Sequence, residues 1–121
     1  MHYAVISDVH ANLEALEAVL KDIKKRKAEG MIFLGDAVGY GPNPNECTAI
    51  LNEKCRTLIA GNHDRAVAGL TDIGQFNEYA VAAILWTREV LTDKNKKIIE
   101  GLPIAKEMKK NNMLLVHSTP K

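Results

Sequence analysis

The sequence predicts an α/β domain, a parallel or mixed sheet covered by helices, and three observations carry that expectation. Apolar runs of strand length alternate with amphipathic stretches of helix length. Each apolar run is halted by polar turn formers. The composition, 46% hydrophobic and 26% charged, is that of a soluble globular chain with a packed core and not of a disordered or membrane chain. At 121 residues the chain has the length of one ordinary domain.

The elements follow in order. Tyr3 to Ile6 is a β-favouring run stopped by Ser7-Asp8. Beyond it Leu13, Leu16, Val19, Leu20 and Ile23 recur at helical spacing, with Asn12 placed to cap the first turn. The Lys24-Lys25-Arg26-Lys27 run closes that helix, where cations suit the dipole. Met31 to Leu34 is a second strand, halted by Gly35-Asp36. The stretch Gly39-Tyr40-Gly41-Pro42-Asn43-Pro44 is dense in turn formers and reads as a loop, followed by a helix over about Asn45–Asn52. Thr57 to Ala60 is a third strand, ending at Gly61-Asn62-His63-Asp64. Helical periodicity returns over Phe76–Leu91 and Lys96–Leu102, with Trp86 in the apolar pattern and therefore expected in the core. Ile104–Met108 and Met113–Val116 read as a hairpin around Asn111-Asn112 that delivers His117.

Composition excludes several functions. Sixteen Lys and Arg against 15 Asp and Glu give a net charge of +1, which supplies no field for nucleic acid or an anionic membrane. The N-terminal residues lack the basic and long apolar regions of a signal peptide, so a cytoplasmic location is expected. Cys47 and Cys55 are then expected as reduced thiols without a role. No G-x-G-x-x-G or phosphate-loop pattern follows any strand, which weighs against a nucleotide-binding module of the Rossmann kind.

The informative pattern lies at the strand ends, because ligands of an open α/β sheet bind beyond the carboxyl ends of its strands. Asp8 and His10 follow the first strand, Asp36 the second, Asn62, His63 and Asp64 the third, and His117 the hairpin. Each has an ordinary structural reading. Asp8 and Asp36 are cap or turn residues, Asn62 holds a left-handed turn, and His117 is hydrogen-bonded at a strand end. Their convergence favours a site. Asp8 and His10 are one residue apart, so a strand-like exit turns both side chains the same way, toward one metal ion. Mixed carboxylate and imidazole ligands suit Mn²⁺, Fe²⁺, Co²⁺, Ni²⁺ or Zn²⁺ better than Ca²⁺ or Mg²⁺. His2 lies at the opposite edge of the sheet and is given no function; Tyr40 is read as a loop aromatic covering apolar surface, with a place lining the cleft as the alternative.

Asp8-Val9-His10, Gly35-Asp36, Gly61-Asn62-His63-Asp64 and the later His117 together resemble the calcineurin-like metallophosphoesterase family in order, spacing and strand-end context. The resemblance implies a four-layer α/β/β/α sandwich and metal-dependent hydrolysis of phosphomonoesters or phosphodiesters, on a small phosphate-ester or nucleotide-like substrate. It further implies that Asp8 and His10 hold one divalent ion, that Asn62 and His117 hold a second, and that Asp36 bridges the two, with Mn²⁺ foremost among the metals. By the same resemblance His63 is the acid beside the substrate, and Asp64 orients His63 and favours its charged form.

The sequence also departs from that pattern, since family members continue into a Gly-His-x-His segment and further strands that are absent here. Residues 1–121 are therefore expected to be a single domain truncated at its C-terminal side, with incomplete metal shells and exposed edges through which it dimerises. The alternative to catalysis is a non-catalytic protein-interaction scaffold on the same fold.

Overall fold

The computed structural model describes residues 2–118; residues 119–121, where the expected continuation of the chain begins, lie outside them. Three parallel strands form the sheet, β1 (Tyr3–Ile6), β2 (Gly30–Phe33) and β3 (Thr57–Leu58), in the order β1-β2-β3. The register sets Val5 beside Ile32 and Ile32 beside Thr57. Helix α1 (Leu13–Lys25) connects β1 to β2, and α2 (Pro44–Lys54) connects β2 to β3. Helices α3 (Asn62–Val67), α4 (Glu78–Val90) and α5 (Asp93–Glu100) follow. An antiparallel hairpin, β4 (Ala105–Met108) and β5 (Met113–Val116), closes the described chain. Among the described residues no helix is long and apolar enough to cross a membrane.

Alternation along the strands gives the sheet two working faces. Met31 and Phe33, with Ala4 and Ile6, face the main core, where Leu16 of α1, Cys47 and Leu51 of α2, Val67 of α3, Ile84 of α4 and Ile99 of α5 meet. Ile32 and Ile59 face the other way and are covered by Leu115 of the hairpin, with Tyr3, Leu34, Met108 and Met113 around them. Val5 of β1 remains 56% exposed on this face.

Local chemistry sets the element ends. The Asn12 side chain accepts from the Ala15 amide at 3.1 Å and caps α1 as expected. Pro44, the last residue of the turn-rich stretch, opens α2, its fixed φ suited to a first helical turn. Helix α5 starts earlier than its periodicity suggests because the Thr92 hydroxyl caps it, accepting from the Asn95 amide. β3 is shorter than expected: the Ala60 amide leaves the ladder and donates to the Pro103 carbonyl at 2.7 Å. Asn112 is left-handed, φ 53°, and turns the hairpin after a short 3₁₀ segment. Both cysteines are buried and free, as expected of reduced thiols.

Two expectations are corrected. Asn62, read as holding a left-handed turn after the third strand, instead begins α3, with Gly61 as its N-cap; the helix is too short for its periodicity to show. Trp86 is 43% exposed, not core, because Ile84 and Thr87 take the inward face of α4.

Candidate metal centre

The loops leaving the strands are laced together by backbone hydrogen bonds before any side chain meets another. The Asp8 amide donates to the Gly35 carbonyl at 2.9 Å, His10 to Asp36 at 2.9 Å and Ala11 to Ala37 at 2.8 Å, while the Gly41 amide returns to the His10 carbonyl at 3.0 Å. To follow this path Asp8, His10, Ala11, Asp36 and Tyr40 all take positive φ, between 47° and 67°. Such conformations cost on the order of 1 kcal/mol or more each for non-glycine residues and gather where function fixes a side chain's direction. The strand-like exit expected for Asp8 and His10 is thus a left-handed turn, which brings the two side chains together by a different route. Two glycines make room. A Cβ on Gly35 would lie 2.6 Å from the Gly61 nitrogen and 2.8 Å from His117 Nδ1, and one on Gly61 would overlap the Asp36 carboxylate.

Asp36 is the hub. Its side chain is almost wholly buried, yet Oδ2 lies 3.2 Å from His117 Nε2 and 3.5 Å from His10 Nε2. Its Oδ1 accepts the His63 amide at 3.0 Å. Asp8 Oδ1 stands 3.4 Å from His10 Nε2 on the solvent side. Both histidines are oriented from behind: His117 Nδ1 is 2.7 Å from the Leu34 carbonyl and His10 Nδ1 is 3.1 Å from the Val38 carbonyl. A carbonyl at Nδ1 fixes the tautomer that leaves Nε2 as a lone-pair donor, the usual support of a metal-ligating histidine.

The electrostatics match. Burial alone would raise the Asp8 carboxyl, but the Ser7 hydroxyl, which donates to Asp8 Oδ2, and the His117 and His10 rings outweigh it and hold it below the ordinary value. Burial would lower His117, but the Leu34 carbonyl and the charges of Asp36, Asp8 and Asp64 raise it. His63 is lowered, chiefly by burial and further by the neighbouring His10 and His117, against the pull of Asp36 and Asp8.

Ligand atoms fall into two groups that share Asp36, one of Asp8, Asp36 and His117, the other of His10, Asp36 and His63, each within 4.8 Å. A shared carboxylate is what a bridging ligand requires, and the oxygen and nitrogen donors fit divalent first-row cations. The grouping differs from the pairing implied by the resemblance, which sets Asp8 with His10 and keeps His63 apart. Asn62, the first residue of α3, is exposed; it shares a cavity of about 420 Å³ with Arg65, His117 and the apolar Ile104, Leu114 and Val116.

Asp64 does not do what was expected of it. Its oxygens accept the amides of Asp36 at 2.8 Å, Ala37 at 2.9 Å, Val38 at 3.2 Å and Gly61 at 3.0 Å, while His63 Nδ1 has no hydrogen-bond partner among the described residues. In an α-helix adjacent residues point apart, so Asp64 reaches the loop after β2 and not its neighbour. Burial pushes its carboxyl up to about 6, against the pull of the Gly61, Val38 and Asp36 amides. The His63 ring is held by aromatic contacts: Tyr40 at 4.9 Å, His10 at 4.9 Å and Phe76 at 5.1 Å between centroids. Tyr40 is half exposed, its ring beside those of His10 and His63. Phe76 was legible only as the start of a helical pattern, and nothing in its spacing points to His63.

The sequence profile of the calcineurin-like phosphoesterases matches residues 1–120. An uncharacterized protein of Methanocaldococcus jannaschii is 45% identical over 120 residues, covering 98% of this chain and 49% of its own length. The crystal structure of a metallophosphoesterase from Sphaerobacter thermophilus aligns with a TM-score of 0.75 at 39% identity, over 89% of this chain and 44% of that one. A hypothetical protein from Pyrococcus horikoshii shares the fold, with a TM-score of 0.72 at 22% identity over 93% of this chain and 53% of its own. The chain thus spans about half the length of these relatives.

Proposed function

The chain belongs to the calcineurin-like phosphoesterase family, and from that premise we propose that its strand-end cluster is the front of a two-metal site for hydrolysis of phosphate mono- or diesters. The observation that carries the proposal is the Asp36 carboxylate set between the Nε2 atoms of His10 and His117, each with Nδ1 engaged by a carbonyl. Asp8 and His10 would hold one ion, Asn62 and His117 the other, with Asp36 common to both; Mn²⁺ is the first candidate in a cytoplasmic setting. Divalent ions held there supply Lewis-acid polarisation of the phosphoryl group and water that ionises near neutral pH.

The chain's own groups do the rest. Ser7 aims the Asp8 carboxylate by its hydrogen bond. His63 carries a proton to the departing oxygen, a contribution typically of about 10² to 10⁴ in rate. Tyr40 and Phe76 fix the plane of its ring and exclude water from its flanks. Asp64 holds the loop that bears Asp36.

A second reading of His63 is favoured by its place among the ligand atoms with His10 and Asp36, where it would bind metal itself. A second reading of the whole chain, as an interaction scaffold, is favoured by the exposed Ile104 and Leu114.

One set of assays separates these readings: Mn²⁺-stimulated hydrolysis of a chromogenic phosphomonoester and a phosphodiester by this chain, Asp36→Asn and His63→Ala, with metal content measured alongside. Turnover lost in Asp36→Asn, and turnover cut with metal retained in His63→Ala, support the proposal. Metal lost in His63→Ala makes His63 a ligand. No metal and no turnover in the unaltered chain contradicts the proposal.

A further inference from the structure

The carboxyl end of α3, opposite the turn that bears His63, meets α4 and α5 around a cavity of about 280 Å³. None of its lining residues belongs to the metal centre. Its apolar lining is Val67, Leu91 and Ile99, buried residues of the main core, and its charged lining is Arg88, Lys96 and Glu100. Arg88 Nη2 donates to the Ala66 carbonyl at 2.6 Å, while its Nε is buried and has no hydrogen-bond partner among the described residues. The helix end does not require that arginine. The Ala66 carbonyl already accepts the Gly69 amide at 3.1 Å, and the Leu70 amide closes onto the Arg65 carbonyl at 2.9 Å, a pattern that ends a helix by backbone alone. Lys96 and Glu100 stand one turn apart on α5, yet among the described residues neither forms an ion pair. Their order along the helix favours pairing less than the reverse order does.

We propose that this cavity binds a small aliphatic monocarboxylate, with its anion on Arg88 and Lys96 and its chain against Val67, Leu91 and Ile99. A buried guanidinium donor without an acceptor is costly, and a carboxylate supplies one in the planar geometry that a guanidinium fits best. The charge of Arg88 also offsets the partial negative charge of the α3 carboxyl end, which would otherwise repel an anion. Two cations against one carboxylate leave a single positive charge, so a monoanion balances the lining. A dianion brings a second charge to face Glu100. The apolar part of the lining selects a hydrocarbon chain over a bare inorganic ion. The volume is several times the roughly 30 Å³ share of one water and lies just under that of drug-sized sites, which suits a branched acid of a few carbons.

The test is an NMR titration of the chain with 3-methylbutanoate, followed at the Gly69 and Lys96 amides. Saturable shifts with Kd on the order of 1 mM or tighter are expected. Lys96→Met keeps the apolar stem and removes the charge, and it is expected to weaken binding about tenfold. Glu100→Gln, at an exposed position, is expected to tighten it severalfold, a change of opposite sign that a damaged fold would not give. Asp36→Asn, outside the cavity, is expected to leave Kd unchanged. Shifts that do not saturate, equal affinity for 3-methylbutan-1-ol or for sulfate, or the same Kd in Lys96→Met would each overturn the proposal. Binding lost in Asp36→Asn would place the anion at the metal centre and overturn it as well.

Discussion

Asp36 and Asp64 are both almost wholly buried, at 2% and 0% exposure, yet their oxygens face different partners. Asp36 turns one oxygen to the His10 and His117 rings, the place proposed for a divalent cation. Asp64 turns both of its oxygens to backbone amides of Gly61, Asp36, Ala37 and Val38. It is a clamp between α3 and the loop after β2, and the position of Asp36 depends on it. Asp64→Ala leaves those amides without an acceptor, and the cost of burying unpaired donors suggests a loss of roughly 3 kcal/mol or more. Urea denaturation measures it; a loss below about 1 kcal/mol, within the range of an ordinary substitution, would show that the clamp is dispensable. The chemistry of the ligands was legible in the residues themselves, because Asp8, His10, Asp36 and His117 each follow a run that could only be a strand. The role of Asp64 was not, since its partners at 36–38 come near only once β2 and β3 pair.

At the scale of elements, β1, β2, α1, α4 and the hairpin were read nearly to their ends, because each has an unbroken period and a polar stop. Helix α3 was missed for want of length, and the ends of β3 and α5 moved where the Ala60 amide donates to the distant Pro103 carbonyl and where the Thr92 hydroxyl caps the helix. Helix α2 carries both thiols, Cys47 within it and Cys55 at its C-terminal cap. Burial pushes each thiol from 9.0 up to about 11. In the unfolded chain they ionise near pH 9, so their contribution to stability is complete below that pH and is lost as the pH rises toward about 11. Chemical denaturation across pH 8 to 11 should therefore show a steeper decline in the unaltered chain than in a Cys47→Ala/Cys55→Ala variant. Parallel pH profiles would mean that the thiols already ionise in the fold.

For the whole molecule, the decisive feature is the uneven cover of the sheet. Helices close one face, while the hairpin leaves part of the other open, with Val5 at 56%, Ile104 at 60% and Leu114 at 57% exposure. Among the described residues β1 also pairs on one side alone. Open edges and apolar side chains of this kind favour self-association, and sedimentation velocity should show mass rising with concentration, less so in Leu114→Lys. A monomer at every concentration would show that these surfaces are tolerated in water. The same half-length architecture still assembles Asp8, His10, Asp36 and His117 from loops after β1 and β2 and from the end of β5. Whether that assembly holds metal is tested most directly by elemental analysis of the purified chain after Mn²⁺ loading and dialysis, beside Asp36→Asn. Two ions per chain, lost in the variant, are the expected result; a metal-free chain, or equal metal in both proteins, would contradict the assignment of Asp36 as the shared ligand.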